Sequence, residues 1–405
     1  MKPHGMNIGF TYEVFDKKNE ELIPVYSKEN LSKLEAYINI KGNDKEYELP
    51  MRSFLTNFIN TLQGLFAGDG GVDTKKSTAS VAQSVSISKR IGMLIGHGDT
   101  AVNLSDTGLN IPATHASIIY GNTTFTDPYV VKSEGIIPDV TSAPTVGGNK
   151  LGFEMRRIFT NNKYSDIILK ELVIKNRRVS SSIASNVAGV AISRDLLSED
   201  GTSVGTGITV PYESAIQFLF KFLVYQEANG NGGAVLNLLR LINNLIFKGD
   251  QNDVPLIDTS NNTMNITYAT NATCGATGKF TVTSAIADND YGIIVGRYDD
   301  RYTGQKSENP SISGDETTFG VGASSLTKTA TTVSAVTNPF TKTAQFTVTR
   351  DFTNGLTSSV SFNRVGLKIK EGAFVAINRL GSENSSFVLQ PNQVFRGTYT
   401  FSIKA

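Results

Sequence analysis

The chain has 405 residues, with 38 Lys and Arg against 37 Asp and Glu, a formal net charge of +1. That length allows two or three domains, each with its own core, and the balanced charge argues against the domain-wide basic field that holds nucleic acid by its phosphates. No apolar run nears the roughly 20 residues of a membrane-spanning helix; the single cysteine, Cys274, excludes an intrachain disulfide framework and fits a reducing cytoplasm.

The chain opens on polar sequence with no apolar stretch, so no signal peptide is expected. Residues 7–15 and 34–40 alternate apolar and polar, the period of a strand, with turn residues at 41–44. The spacing then becomes helical: Phe54, Leu55, Phe58, Ile59, Leu62, Leu65 and Phe66 fall on one face, with Pro50 or Ser53 as the start and Gly68 as the stop. A polar low-complexity stretch at 72–88 leads to the glycine-bounded apolar strand 92–96, a loop-rich section around Pro112, and several alternating strands.

This order returns. A second helix is expected at 234–247, where Leu238, Leu239, Ile242, Leu245 and Ile246 match Phe58, Ile59, Leu62, Leu65 and Phe66. The strand at 37–40 matches 220–224 ahead of it. The strand bounded by Gly92 and Gly96 returns between Gly292 and Gly296, Arg157-Ile-Phe-Thr-Asn161 returns as Arg350-Asp-Phe-Thr-Asn354, Ala191-Ile-Ser-Arg194 as Ala376-Ile-Asn-Arg379, and Pro211 and Pro391 each lead a closing strand. Repetition at this scale sets the architecture: a mainly β chain of two tandem antiparallel β-sandwich units, each with one associated α-helix. The expected boundaries are 1–48 for a β-rich N-terminal extension, 49–228 for the first helix and sandwich, and 229–405 for the second. Since no reactive side chain recurs, the repeat also argues against an enzyme.

The glycine-bounded strand, the loop section and the Arg-x-Phe-Thr-Asn strand, followed by strands like 360–367 and 374–379 and a closing strand like 389–403, resemble β-sandwich modules of virion proteins from tailed bacteriophages. The resemblance covers most of 50–405 and is better in the second unit; in the first, Val173 stands where the second has Gly366. It implies a structural subunit of the particle, in the neck or tail or associated with the capsid, made in the bacterial host cytoplasm and carried in the virion. Its implied partners are copies of itself in a symmetric homo-oligomer and other virion structural proteins, with no direct nucleic acid, no membrane and no cofactor. A receptor- or glycan-binding protein at the tail tip is the alternative, with Tyr298 and Tyr302 as its thin aromatic signal.

Few residues suggest chemistry. His97 follows Gly96, but its counterpart is Arg297, and the three histidines, His4, His97 and His115, lack zinc-site spacing, so a turn histidine is expected. Asp288, Asp290, Asp299 and Asp300, with Asp99 and Asp106 as partial counterparts, offer oxygen ligands but not an EF-hand spacing. The glycines of 201–207 lack the ending of a phosphate loop and read as a hairpin tip. No catalytic, cofactor or metal site is assigned. A subunit interface through Phe54, Phe58, Leu62, Phe66, Leu238, Ile242 and Leu245 competes with the simpler reading that these side chains cover their own sheet. The pairs Arg156-Arg157 and Arg177-Arg178 are either partner-facing or solvated.

Overall fold

The computed structural model describes residues 6–18, 21–42, 45–50, 54–68, 92–106, 108–113, 118–121, 123–125, 129–131, 150–179, 187–200, 205–225, 232–234, 236–247, 254–257, 263–266, 279–286, 288, 290–296, 326–336, 343–380 and 387–404. Strands β1 (Met6–Lys18), β2 (Glu21–Gly42) and β3 (Lys45–Pro50) precede helix α1 (Thr56–Ala67). Then come β4 (Gly92–Gly96), β5 (Ile118–Tyr120), β6 (Thr124–Phe125), β7 (Tyr129–Val131), β8 (Lys150–Asn161), β9 (Ile167–Leu169), β10 (Glu171–Val179), β11 (Val187–Leu196), β12 (Ile208–Val210) and β13 (Ala215–Tyr225). The second round opens with β14 (Gly232–Ala234), helix α2 (Leu236–Leu241) and a π-helical turn (Ile242–Phe247), then β15 (Val254–Ile257), β16 (Thr263–Ile266) and β17 (Gly292–Gly296). It closes with β18 (Leu326–Lys328), β19 (Thr332–Val333), β20 (Thr343–Asn354), β21 (Val360–Phe362), β22 (Arg364–Lys368), β23 (Phe374–Arg379), β24 (Phe387–Leu389) and β25 (Gln393–Lys404). The protein is mainly β and its sheets are antiparallel, as the period-2 patterning predicts.

One large sheet runs β18-β20-β25-β1-β2-β13-β8-β5 through the molecule. The segment read as an N-terminal extension supplies its middle: β1 pairs with the final strand β25, Phe10 opposite Tyr399, and β2 pairs with β13, Ile40 opposite Phe218. The two ends of the chain therefore meet in one sheet. The strands at 37–40 and 220–224, matched as counterparts in sequence, are in fact neighbours, with Ile38 opposite Phe220. The counterpart of β13 is β25, since Phe218 lies opposite Arg157 and Gly397 opposite Arg350.

A smaller sheet accompanies each half: β11-β10-β4 in the first, β14-β23-β22-β17 in the second. On β20 every second residue is buried, so one face of the large sheet turns inward and the other outward. β4 and β17 are buried along their whole length. On β4 the second face is covered by Leu55 and by the loop carrying Val102 and Leu109. A single cluster of buried apolar residues extends from Met6 to Ile403 and takes in both helices.

The helices cross between the halves. Helix α1 leaves from the first small sheet, where Phe54 bridges Ser193 and the Leu55 amide donates to the Ile192 carbonyl at 2.9 Å. This extended backbone, with Leu55 as N-cap at ψ 160°, delays the helix to Thr56; Pro50 ends β3 and does not begin the helix. At its far end Phe66 meets the second half edge-on, 6.1 Å from Phe346 and 5.4 Å from Phe401, rings that stack on each other at 4.8 Å. The second helix mirrors this. β14 pairs with β23, Ala234 opposite Ala376, while Phe247 stands edge-on to the stacked rings of Phe153 and Phe222 in the first half, at 5.2 and 5.6 Å. Phe247, not Ile246, does the work of Phe66, because the π turn inserts one residue before it.

The small sheets correct one further match. Ala234 opposite Ala376 and Phe54 opposite Ser193 make Ser193 the counterpart of Ala376, so Ala191-Ile-Ser-Arg194 and Ala376-Ile-Asn-Arg379 stand two residues out of register. Position 196 stands where 379 does: Leu196 pairs Glu171 and Arg379 pairs Arg364.

Candidate functional site: duplicated arginine clamps and an exposed tyrosine pair

Arg157 and Arg350 are 1% and 0% exposed, and each reaches from the large sheet to the small one. Arg157 donates from Nε to the Gly121 carbonyl at 2.8 Å and from Nη1 to the Met93 carbonyl at 2.7 Å. Arg350 donates to the carbonyls of Thr329 (2.9 Å), Tyr291 (3.2 Å), Ile293 (3.1 Å) and Asp288 (2.8 Å). Burial pulls both guanidinium pKa values down to about 10. The fork of a guanidinium suits this duty, since five fixed donors satisfy several carbonyls at once. Of the two arginine pairs read as partner-facing or solvated, Arg156 is exposed and Arg157 is an internal clamp. The side chains of Arg177 and Arg178 lie outside the described residues.

The rest of the motif is also internal. Alternation places the arginine, phenylalanine and asparagine at positions i, i+2 and i+4 on the inward face. Asn161 donates to the Ser165 and Val210 carbonyls, both at 2.9 Å, and accepts from the Lys163 amide at 2.9 Å. Asn354 repeats this with Ser358 and Leu389 at 2.9 Å and the Leu356 amide at 3.0 Å. In both halves the asparagine ties the loop after the long strand to the strand before the closing turn.

The first half adds a polar network that sequence reading missed. Glu171, 0% exposed, accepts from the amides of Gly98 (3.0 Å), Asn110 (2.9 Å) and Ile111 (2.8 Å) and pairs with Arg194 at 2.9 Å. Arg194 also pairs with Asp106 at 2.8 Å and donates to Thr100. Together they hold the 97–113 loop over β4. Arg364 occupies the position of Glu171 in the second half, facing Gly296 as Glu171 faces Gly96.

The remaining sequence candidates separate. His97 is half-buried, and its Nδ1 lies 2.7 Å from the Ile168 carbonyl. Asp99 pairs with Lys170 at 2.9 Å, which lowers its carboxyl pKa. Asp288 accepts from the Ala285 amide and the Tyr291 hydroxyl, at 2.7 and 2.9 Å. Among the described residues no three His, Cys, Asp or Glu converge as metal ligands, and no helix is long and apolar enough to cross a membrane. Phe54, Phe58, Leu62, Phe66, Leu238 and Ile242 are all at most 2% exposed within this one chain. They pack inside this one chain, and Phe66 does so against the sheet of the other half. Leu245 lies in the π turn with its side chain outside the described residues, as do Asp299, Asp300, Tyr298, Tyr302, Cys274, His4, His115, Arg297, Pro310 and positions 201–204.

Exposed aromatics occur elsewhere. Tyr164, 91% exposed, and Tyr212, 40% exposed, stand with ring centroids 5.6 Å apart at 36°. The Tyr212 hydroxyl is hydrogen-bonded to Glu213, which raises its pKa, and the Tyr212 amide donates to Asp166 at 3.2 Å.

No protein-family model matches the chain, and no curated protein matches it. Among solved structures, the CymD monoaromatic hydrocarbon channel aligns over 100% of this chain and 89% of its own at 9% identity, with a TM-score of 0.10, a value that carries no inference about fold or function.

Proposed function

We propose that the chain is a structural subunit of a tailed-phage virion, in the neck or tail or associated with the capsid, and that it acts by assembly with copies of itself and with other virion proteins. One observation supports this most: the side chains of the motif that carries the phage resemblance, Arg157 and Asn161 with their counterparts Arg350 and Asn354, are buried and hold a frame through backbone carbonyls. A duplicated frame joined through one sheet offers two related outer surfaces on one chain, which suits repeated contacts around a symmetry axis.

Mass spectrometry of purified particles, followed by a reconstruction of the intact particle, tests the reading. The expected result is the chain at fixed stoichiometry, each copy touching others. Its absence from washed particles, or its presence in the infected cell only, would overturn the proposal.

A further inference from the structure

The duplication provides an internal control for one end of the first half. The loop after β8 and the turn before β13 have the same backbone as their counterparts after β20 and before β25. Both loops are pinned by the asparagine bonds already described, and both turns close with a 3.1 Å hydrogen bond, Ser214 amide to Pro211 carbonyl and Gln393 amide to Gln390 carbonyl. Both place a residue in the left-handed region, Glu213 at φ 59° and Asn392 at φ 63°. On this shared frame the side chains differ. The first half carries Tyr164, Asp166, Tyr212 and Glu213 where the second carries Thr357, Ser359, Pro391 and Asn392. Asparagine tolerates the left-handed backbone; glutamate there is strained, and strain of this kind gathers at functional positions. The second half builds the same loop and turn without the tyrosines or Glu213; Asp166 also serves the frame, because it accepts from the Tyr212 amide, a donor that Pro391 lacks.

We propose that this end of the first half is a saccharide-binding site, in which the Tyr164 and Tyr212 rings take the apolar face of a neutral pyranose and the Asp166 and Glu213 carboxylates accept hydrogen bonds from its hydroxyls. A sugar ring joins an apolar C–H face to a rim of hydroxyl donors, and the site joins ring faces to acceptors in the same way. Two carboxylates beside the rings disfavour anionic ligands, including a phosphate-rich surface. The inference does not depend on the virion proposal and can fail separately from it.

The test is a neutral-oligosaccharide panel (cellohexaose, chitohexaose, maltohexaose and mannan and galactan fragments) titrated against the full chain and three variants. The expected result is saturable binding of at least one member, weakened about tenfold by Tyr164→Ala and by Tyr212→Ala, and unchanged by Thr357→Ala at the equivalent place in the second half. Equal unfolding midpoints for the four proteins establish that the variants are folded. No binding across the panel, binding that survives both tyrosine changes, or tyrosine changes that alter self-association alone would overturn it.

Discussion

Arg157 and Arg350 hold the same place in two halves of one sheet, and each fastens the large sheet to the small one through the carbonyl of the second residue of a glycine-bounded strand, Met93 or Ile293. Replacing either arginine by alanine strands buried carbonyl oxygens. The expected loss is about 3 kcal/mol of unfolding free energy, since each unsatisfied buried group costs roughly 1–3 kcal/mol. Arg350→Lys is expected to recover less than half, because an ammonium cannot span the four carbonyls that the fork reaches. Urea unfolding of the three proteins checks both statements.

Asn161 and Asn354 give a sharper contrast. Each amide nitrogen donates to two carbonyls, so aspartate would set an oxygen against both. Asn354→Asp is expected to destabilise more than Asn354→Ala at neutral pH, by about 1–2 kcal/mol, and the gap is expected to shrink in acid as the carboxyl protonates and becomes a donor. Equal effects of the two substitutions at neutral pH would count against the assigned amide orientation.

Gly92 and Gly292 begin the two buried strands with φ of 78° and 89°. A methyl group on Gly92 would stand 2.8 Å from Thr123 Oγ1, whereas one on Gly292 would run into Thr331 Oγ1 and stand 2.7 Å from Ser284 Oγ. Those two hydroxyls are hydrogen-bonded to each other at 2.9 Å in a buried place. Both alanine variants suffer the left-handed strain, of about 1–2 kcal/mol, and Gly292→Ala is expected to lose more than Gly92→Ala because it also displaces the Thr331–Ser284 pair. Thermal midpoints of the two variants decide the order.

Lys328 has its pKa pulled down to about 8, first by burial and then by Arg350 nearby, against an opposing pull from Asp290 and Asp288. Between about pH 8 and the ordinary lysine value the folded chain holds fewer protons at this site than the unfolded chain. Stability from this group therefore rises with pH across that window and is lowest where Lys328 is charged. The urea midpoint is expected to rise from pH 7.5 to 9.5 more in the wild type than in Lys328→Met. Parallel pH profiles would remove the assignment.

Much of the frame is readable in the sequence because its parts are local. Glycine-bounded strands, the Arg-x-Phe-Thr-Asn spacing and the helical stripe from Phe54 to Phe66 each declare themselves within a few residues. What the sequence conceals is long-range or depends on an extra residue. The π turn shifts Phe247 by one position, and a chance recurrence of Ala-Ile-x-Arg two residues out of place lets Arg194 imitate a counterpart of Arg379 that it is not. The seat of β1 beside β25 joins residues about 390 apart in the chain, which no periodicity reveals. The clamp role of Arg157 was hidden for another reason: charged residues are rarely buried, and only the three-dimensional register shows carbonyls waiting for it. Tyr164 and Tyr212 lie 48 positions apart and meet because the β8–β13 and β9–β12 pairings and the Asn161 side chain bring their loops together.

The crossed helices make one core from two copies, and hydrogen exchange read by mass spectrometry tests this most directly. Phe66→Ala, a change within α1 of the first half, is expected to accelerate exchange chiefly in β20 and β25 of the second half, where Phe346 and Phe401 lose their edge-on partner. Phe247→Ala is expected to do the converse, loosening β8 and β13. Exchange that rises instead in β8 and β13 for Phe66→Ala, and in β20 and β25 for Phe247→Ala, would contradict the crossed arrangement and return each helix to its own half.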